Sequence, residues 1–190
     1  EAYDPLAGTW TAKASMNTAR ESFGVAAFND KIYVFGGKDQ TGSDLNSVEI
    51  YDSSSNTWAY GSSMANASDT LDAHVTANGM IYVIISSGLS NTICMYDPFN
   101  NSWSTEASIQ GNNYYIGSCL VGDGIYIFTE DISTGYRNIS YNTATKSFGT
   151  HTASDMVTSC SIYYNGKIYC FSALSTYCYG LPIDHWTFKT

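Results

Sequence analysis

One aromatic pattern constrains this chain more than any other feature. A tyrosine is followed seven residues later by a tryptophan or phenylalanine, and the pair returns along the chain. The pairs are Tyr3 with Trp10, Tyr51 with Trp58, Tyr96 with Trp103, Tyr141 with Phe148 and Tyr179 with Trp186. Their tyrosines are spaced by 48, 45, 45 and 38 residues. An Ile-Tyr dipeptide at 32–33, 81–82, 125–126 and 168–169 keeps the same phase, with spacings of 49, 44 and 43. A shared period of this length marks a repeat architecture, in which a unit buries its apolar faces only by stacking on its neighbours.

Inside one period the residues read as four short strands. In the first complete unit they are expected at 23–28, 31–35, 47–51 and 57–60. The first two are joined by Asn29-Asp30, and Asn78-Gly79, Gly122-Asp123-Gly124 and Asn165-Gly166 stand before the other Ile-Tyr strands. These residues tolerate the positive φ that two-residue hairpin turns require. Between third and fourth strands lie Asp52–Asn56 and Asp97–Asn101, rich in residues that bond their own backbone. No window sustains a 3.6-residue period, so the expected fold is all-β, a propeller of four-stranded antiparallel blades. The aromatics of the fourth strands are expected to pack between blades, and Trp58→Ala to cost ~3–5 kcal/mol.

Composition narrows the partners. Charged residues are 13% of the chain, against a usual ~25%. Seventeen acidic and eight basic residues leave a net charge of −9. Nucleic acid is therefore not expected as a partner, nor a polybasic attachment to a membrane. No apolar run is long enough for a spanning helix. Five cysteines, at 94, 119, 160, 170 and 178, include no CxxC pair. They read equally as small buried hydrophobes or as one or two disulfides.

The first unit carries Met16, Arg20, Gly24 to Ala27, Ile32 to Gly37, Leu45 to Asp52, Asn56 to Trp58 and Met64. This succession resembles a kelch repeat. The later units keep the Ile-Tyr and aromatic anchors but lose the double glycine of Gly36-Gly37, whose places hold Ile85-Ser86, Thr129-Glu130 and Ser172-Ala173. The position of Arg20 is read as holding Asp69, Asn113 and Met156 in turn. Residues 1–14 are expected to be the outer strand of a preceding or closing blade, around Thr9 to Thr11. Four blades should follow, at about 15–62, 63–107, 108–152 and 153–190. That arrangement fits part of a larger propeller, a four-bladed ring with a spare strand, or an open array that pairs with a second copy.

The resemblance implies a non-catalytic scaffold that presents loops to a protein or glycan. The second-to-third and fourth-to-first connections are expected to share one face. They carry Lys38, Asp39, Asp44, Asp69, Asp72, Glu106, Glu130, Asp131, Tyr136 and Arg137, which would make that face acidic and suited to a basic partner. No calcium-loop spacing joins the aspartates, and no metal or cofactor is expected. The kelch-like copper oxidases use histidine, tyrosine and a cysteine-linked tyrosine. Here His74, His151 and His185 fall at unlike positions of three repeats, so no such galactose-oxidase-like site is assigned. They read as turn or surface residues.

Three N-glycosylation triplets begin at Asn66, Asn100 and Asn138, about as many as composition gives by chance. The first two are expected in loops. Their number carries no information, and it is the low Lys and Arg content, the odd cysteine and an opening Glu1 in place of Met that favour an extracellular glycoprotein, with a cytoplasmic adaptor as the alternative. Self-assembly through open blade edges, as a possible homo-oligomer, is the alternative role.

Overall fold

The computed structural model describes residues 1–109, 111, 113–131, 135–151, 160–171, 176–180 and 185–189. Of residues 113, 160, 176–180 and 185–189 it describes the backbone alone. The described residues contain strands and turns and no helix. An N-terminal hairpin joins β1 (Ala2–Asp4) to β2 (Thr9–Thr11). A short ribbon joins β3 (Arg20–Glu21) to β6 (Lys38–Asp39), flanking the first blade. That blade is built from β4 (Gly24–Phe28), β5 (Lys31–Phe35), β7 (Val48–Asp52) and β8 (Thr57–Gly61).

The second blade comprises β9 (Thr70–Val75), β10 (Ile81–Ser87), β11 (Ser90–Asp97) and β12 (Ser102–Ile109). The third comprises β13 (Asn113–Val121), β14 (Gly124–Asp131), β15 (Gly135–Asn142) and β16 (Ser147–His151). The fourth comprises β17 (Cys160–Tyr164), β18 (Lys167–Phe171), β19 (Thr176–Gly180) and β20 (His185–Lys189). All pairings are antiparallel between neighbours in each sheet. The N-terminal segment is thus more than the single outer strand expected. It is a two-stranded hairpin in which Tyr3 lies opposite Trp10 as Tyr51 lies opposite Trp58 in the third and fourth strands of blade one.

The blades stack face to face, and the strand period of two divides each between two neighbours. Tyr33, Phe35 and Val48 of blade one meet Ile81, Val83, Ile85 and Tyr96 of blade two. On the other face of blade two, Tyr82, Ile84 and Ile93 meet Ile125, Ile127, Ile139 and Tyr141. Cys119 and Phe128 of blade three meet Ile168 and Cys170 of blade four. The Ile-Tyr dipeptide is therefore a two-sided plug, isoleucine toward the preceding blade and tyrosine toward the next. Where a neighbour is incomplete the plug is open: Val25 and Ile32 remain exposed on blade one, and Ile162 and Tyr164 on blade four.

The aromatic pairs are cross-strand neighbours in all five hairpins. In two blades they form a clamp on the crossing chain. Asn56 and Asn101 take positive φ, which asparagine accepts more readily than most residues. Asn56 Oδ1 accepts the Tyr51 hydroxyl at 2.8 Å and the Ala14 N–H at 2.9 Å, and the Trp58 indole donates to the Ala14 carbonyl at 2.9 Å. Blade two repeats this with Tyr96 at 2.6 Å and Ser62 N–H at 2.6 Å on Asn101. Its Trp103 donates to the Ser62 carbonyl at 2.7 Å. Packing between blades is seen at Trp103, half-buried and edge-on against Phe35 at 5.6 Å. Trp10 is 67% exposed and Phe148 46%, so the expectation of buried aromatics fails at those two positions. Trp58 and Trp103 are both half-buried, but Trp103 packs against the buried cluster shared by blades one and two, so the cost expected for truncation is assigned to Trp103.

The missing double glycines have a direct consequence. In blade one Gly36 and Gly37 take φ of 58° and 93° and turn the chain out of β5. In blades two and three nothing breaks the ladder. Pairing continues to Ser87 opposite Ser90 and to Asp131 opposite Gly135. The expected loops at 86–91 and 130–137 are therefore mostly strand.

Trp103 tests the clamp apart from packing. Trp103→Phe keeps a ring but removes the donor, and should cost about 1–2 kcal/mol. Trp103→Ala should cost ~3–5 kcal/mol in urea unfolding. No loss in Trp103→Phe would show that the indole hydrogen bond contributes nothing.

Candidate functional site

The double glycine builds the one loop surface that gathers several of the expected residues. A Cβ on Gly36 would lie 2.7 Å from the Ser68 carbonyl oxygen, and one on Gly37 2.6 Å from that of Glu21. Only glycine lets β5 leave its sheet so close to the next crossing. The released chain pairs Lys38 with Glu21 and returns past Asp44. Lys38 Nζ then reaches Asp69 Oδ2 at 2.6 Å and Asp44 Oδ1 at 3.4 Å, tying the loop of blade one to the entry of blade two. Asp39 holds the loop's shape by accepting from the Thr41 N–H, the Thr41 hydroxyl and the Ser43 N–H. These bonds, the Thr41 hydroxyl first, lower the Asp39 pKa. Pairing with Lys38 lowers that of Asp69, and pairing with Asp69 raises that of Lys38. An open cleft of about 540 Å³ runs along Glu21, Lys38, Asp39 and Thr41.

Beneath this surface Arg20 and Glu49 form an ion pair at 2.6 Å, with both side chains fully buried. Arg20 also donates to the carbonyls of Gly36 and Ser47 and to the Ser47 hydroxyl. Glu49 accepts the N–H groups of Asn17 and Thr18 and the Asn17 amide. Such bonding offsets the desolvation of a buried pair. Glu49 sits mid-strand between apolar residues, and its role was not singled out from sequence. Arg20, which the family resemblance had marked, was the available signal.

The remaining expected residues are dispersed. Asp72 belongs to β9 at the seam of blades two and three. Its Oδ2 accepts from the Tyr115 hydroxyl at 3.2 Å and the Ser118 hydroxyl at 3.0 Å, while His74 Nε2 lies 2.6 Å from Ser118 Oγ. Glu106 lies in β12, mostly covered, and pairs with Lys146, which also donates to the Tyr82 hydroxyl at 2.7 Å. Lys146 occupies the position of Asn56 and Asn101, with φ of 55°. Phe148 cannot donate, and among the described residues the buried Tyr141 hydroxyl has no hydrogen-bond partner. Blade three has thus replaced the clamp by a side-chain ion pair. Glu130, Asp131, Tyr136 and Arg137 lie in the β14–β15 ladder, where Glu130 faces Tyr136 and Arg137 faces Thr129. They are strand residues because the ladder has no glycine break.

His74 and Asn138 differ from expectation, while Asn66 and Asn100 lie in exposed loops as expected. His74 is a largely buried strand residue, and His151 ends β16 with Nε2 2.8 Å from Ser140 Oγ. His185 lies in β20, its side chain outside the described residues. Asn66 and Asn100 are exposed, whereas Asn138 is only 6% exposed within β15, where a glycan would have no room. Cys119 and Cys170 are core residues and Cys94 is half-buried, while the side chains of Cys160 and Cys178 lie outside the described residues.

Burial lowers the His74 pKa below its ordinary 6.5, an effect that the nearby Asp72 charge only partly opposes. The native chain therefore binds fewer protons than the unfolded chain as pH falls through this value, and stability declines. The contribution is complete above pH 6.5 and is lost below it. A thermal series from pH 7.5 to about 5 should show a steeper fall for the native chain than for His74→Gln. Parallel curves would contradict this coupling.

Comparison with known proteins places the residues in context. Residues 19–65 match the model of the Kelch motif. Beta-scruin of Limulus polyphemus is 35% identical over 106 residues, covering 50% of this chain and 11% of its own length. Kelch-like protein 35 of Mus musculus is 33% identical over 109 residues, covering 57% of this chain and 18% of its own length. Kelch-like protein 23 of Homo sapiens is 28% identical over 200 residues, covering 97% of this chain and 35% of its own length. The chain thus spans about a third or less of these curated relatives.

Proposed function

Because the chain belongs among the kelch-repeat proteins, we propose that it is a non-catalytic scaffold that presents the loop surface around Lys38 to a protein partner. The observation that carries this reading is the tethering of that loop. Lys38 bridges Asp44 and Asp69, and Asp39 orders the turn between them. An exposed loop held in one conformation loses little entropy on binding. Its exposed carboxylates favour a segment rich in lysine or arginine, with charge steering encounter more than it sets affinity. A peptide array carrying basic, neutral and acidic sequences tests this. Basic peptides should bind, and Lys38→Ala with Asp44→Asn should weaken them at least ~tenfold without changing the fold, which is about 1.4 kcal/mol. Equal binding of all three charge classes would contradict the reading.

The uncovered faces favour a second role, association through open blade edges. Tyr3, Leu6 and Trp10 are exposed on the N-terminal hairpin, as are Ile162, Tyr164 and Phe171 on blade four. A sedimentation dilution series should then show reversible growth in mass, and a constant monomer mass would exclude it. An extracellular setting with glycans on Asn66 and Asn100 fits their exposure. Loss of mass from the native protein on enzymatic deglycosylation would support it, and an unmodified mass would count against it.

A further inference from the structure

We propose that blade two carries a separate site for one uncharged sugar ring, in the cavity between the chain crossing at 64–66 and the outer strands β11 and β12. The argument begins with what fills this place elsewhere. In blade one it holds the guanidinium of Arg20 and the carboxylate of Glu49. Counting from the methionine that opens each crossing, Ser68 stands four residues beyond Met64 as Arg20 stands four beyond Met16. Ser68, and not Asp69, is therefore the counterpart of Arg20. Its hydroxyl donates to the Ser86 carbonyl at 2.7 Å. Glu49 lies opposite Tyr60, and Cys94 lies opposite Thr105, so Cys94 is the counterpart of Glu49. Both charged groups have been exchanged for small ones, and a cavity of about 280 Å³ is left.

Blade three shows that this space need not stay open. There Ile139 stands for Cys94 and Arg137 for Thr92, and the corresponding cavity is about 130 Å³. The volume in blade two sits at the lower end of the ~300–1,000 Å³ of small-molecule sites, enough for one ring and not for a chain.

The lining selects the ligand's chemistry. Met64, Ile85 and Trp103 give an apolar wall. The Trp103 N–H is already spent on the Ser62 carbonyl, so the ring offers apolar surface. Ser87, Ser90 and Thr92 supply three hydroxyls, and the Asn66 amide adds to them in the chain that carries no glycan there; no described hydrogen bond uses these side-chain groups. Ser90, Thr92 and Cys94 alternate along β11 and so share one face. No carboxylate, lysine or arginine lines the cavity, and burial raises the pKa of the Cys94 thiol, keeping it neutral. A charged ligand would lose its hydration without a counter-charge. A pyranose meets both demands, with a C–H face for the wall and hydroxyls for the polar side. The site uses none of the residues of the Lys38 surface.

The experiment is saturation-transfer NMR on the non-glycosylated chain. The probes are the neutral methyl glycosides of glucose, galactose, mannose and N-acetylglucosamine, with glucuronate and glucosamine as charged controls. At least one neutral glycoside should bind, and the charged analogues should bind at least ~tenfold more weakly, about 1.4 kcal/mol. Cys94→Ile with Thr92→Arg installs the blade three side chains and should abolish binding. Thr92→Val, a nearly isosteric change, should weaken binding several-fold even if the double variant fails to fold. A glycan array then separates a free monosaccharide from the terminal residue of a glycan. Absence of signal from every neutral glycoside, or binding unchanged in both variants, would overturn the proposal.

Discussion

The stack depends on how the chain passes from one sheet to the next. A crossing leaves its own ladder, and its N–H and C=O groups must find partners elsewhere or be left wanting at a covered seam. The clamp solves this with three side chains of the receiving blade. At Ser62, Asn101 takes the N–H and Trp103 supplies a donor to the C=O. Tyr96, itself fully buried, donates to the same asparagine oxygen, and burial raises its pKa to about 12. The hydroxyl is thereby held as a donor. Blades one and two are thus registered on the chain that enters them by hydrogen bonds as well as by apolar contact, which alone is non-directional.

The blades then differ in what occupies the space behind the clamp. Blade one uses two buried charges, each surrounded by further bonds. Blade two uses neutral small groups and retains a cavity. Blade three gives up the clamp, leaves the Tyr141 hydroxyl without a partner among the described residues and joins Lys146 to Glu106 across the seam. These are alternative ways of closing one geometric gap, and they change together. The same logic separates the Lys38 loop, which exists because Gly36 and Gly37 break a strand, from the long hairpins of blades two and three.

Much of the architecture was legible in the sequence because it rests on periods. The 45-residue spacing of the aromatic pairs and the alternation within Ile-Tyr strands fix how strands pair and which faces meet. Turn residues placed the hairpin between β4 and β5 within a residue of its observed bounds. The loop face was legible only at Lys38, Asp39, Asp44 and Asp69, where glycine ends the strand. Glu130, Asp131, Tyr136 and Arg137 were placed in a loop because a polar run between strands reads as a turn, yet backbone pairing overrides polarity at a blade's end. Ser118 lies 44 residues beyond His74 and 46 beyond Asp72, and it meets them only where two blades meet. Glu49 was hidden for a related reason: its partner is 29 residues away and in another element.

The most direct test of the clamp is native-state hydrogen exchange at the Ser62 amide. The account predicts protection comparable to that of central strand amides such as Ile84, although Ser62 lies outside every ladder. In Asn101→Ala that protection should vanish while Ile84 remains protected. Rapid exchange of Ser62 in the native chain, or protection that survives Asn101→Ala, would contradict the claim that these side chains hold the crossing.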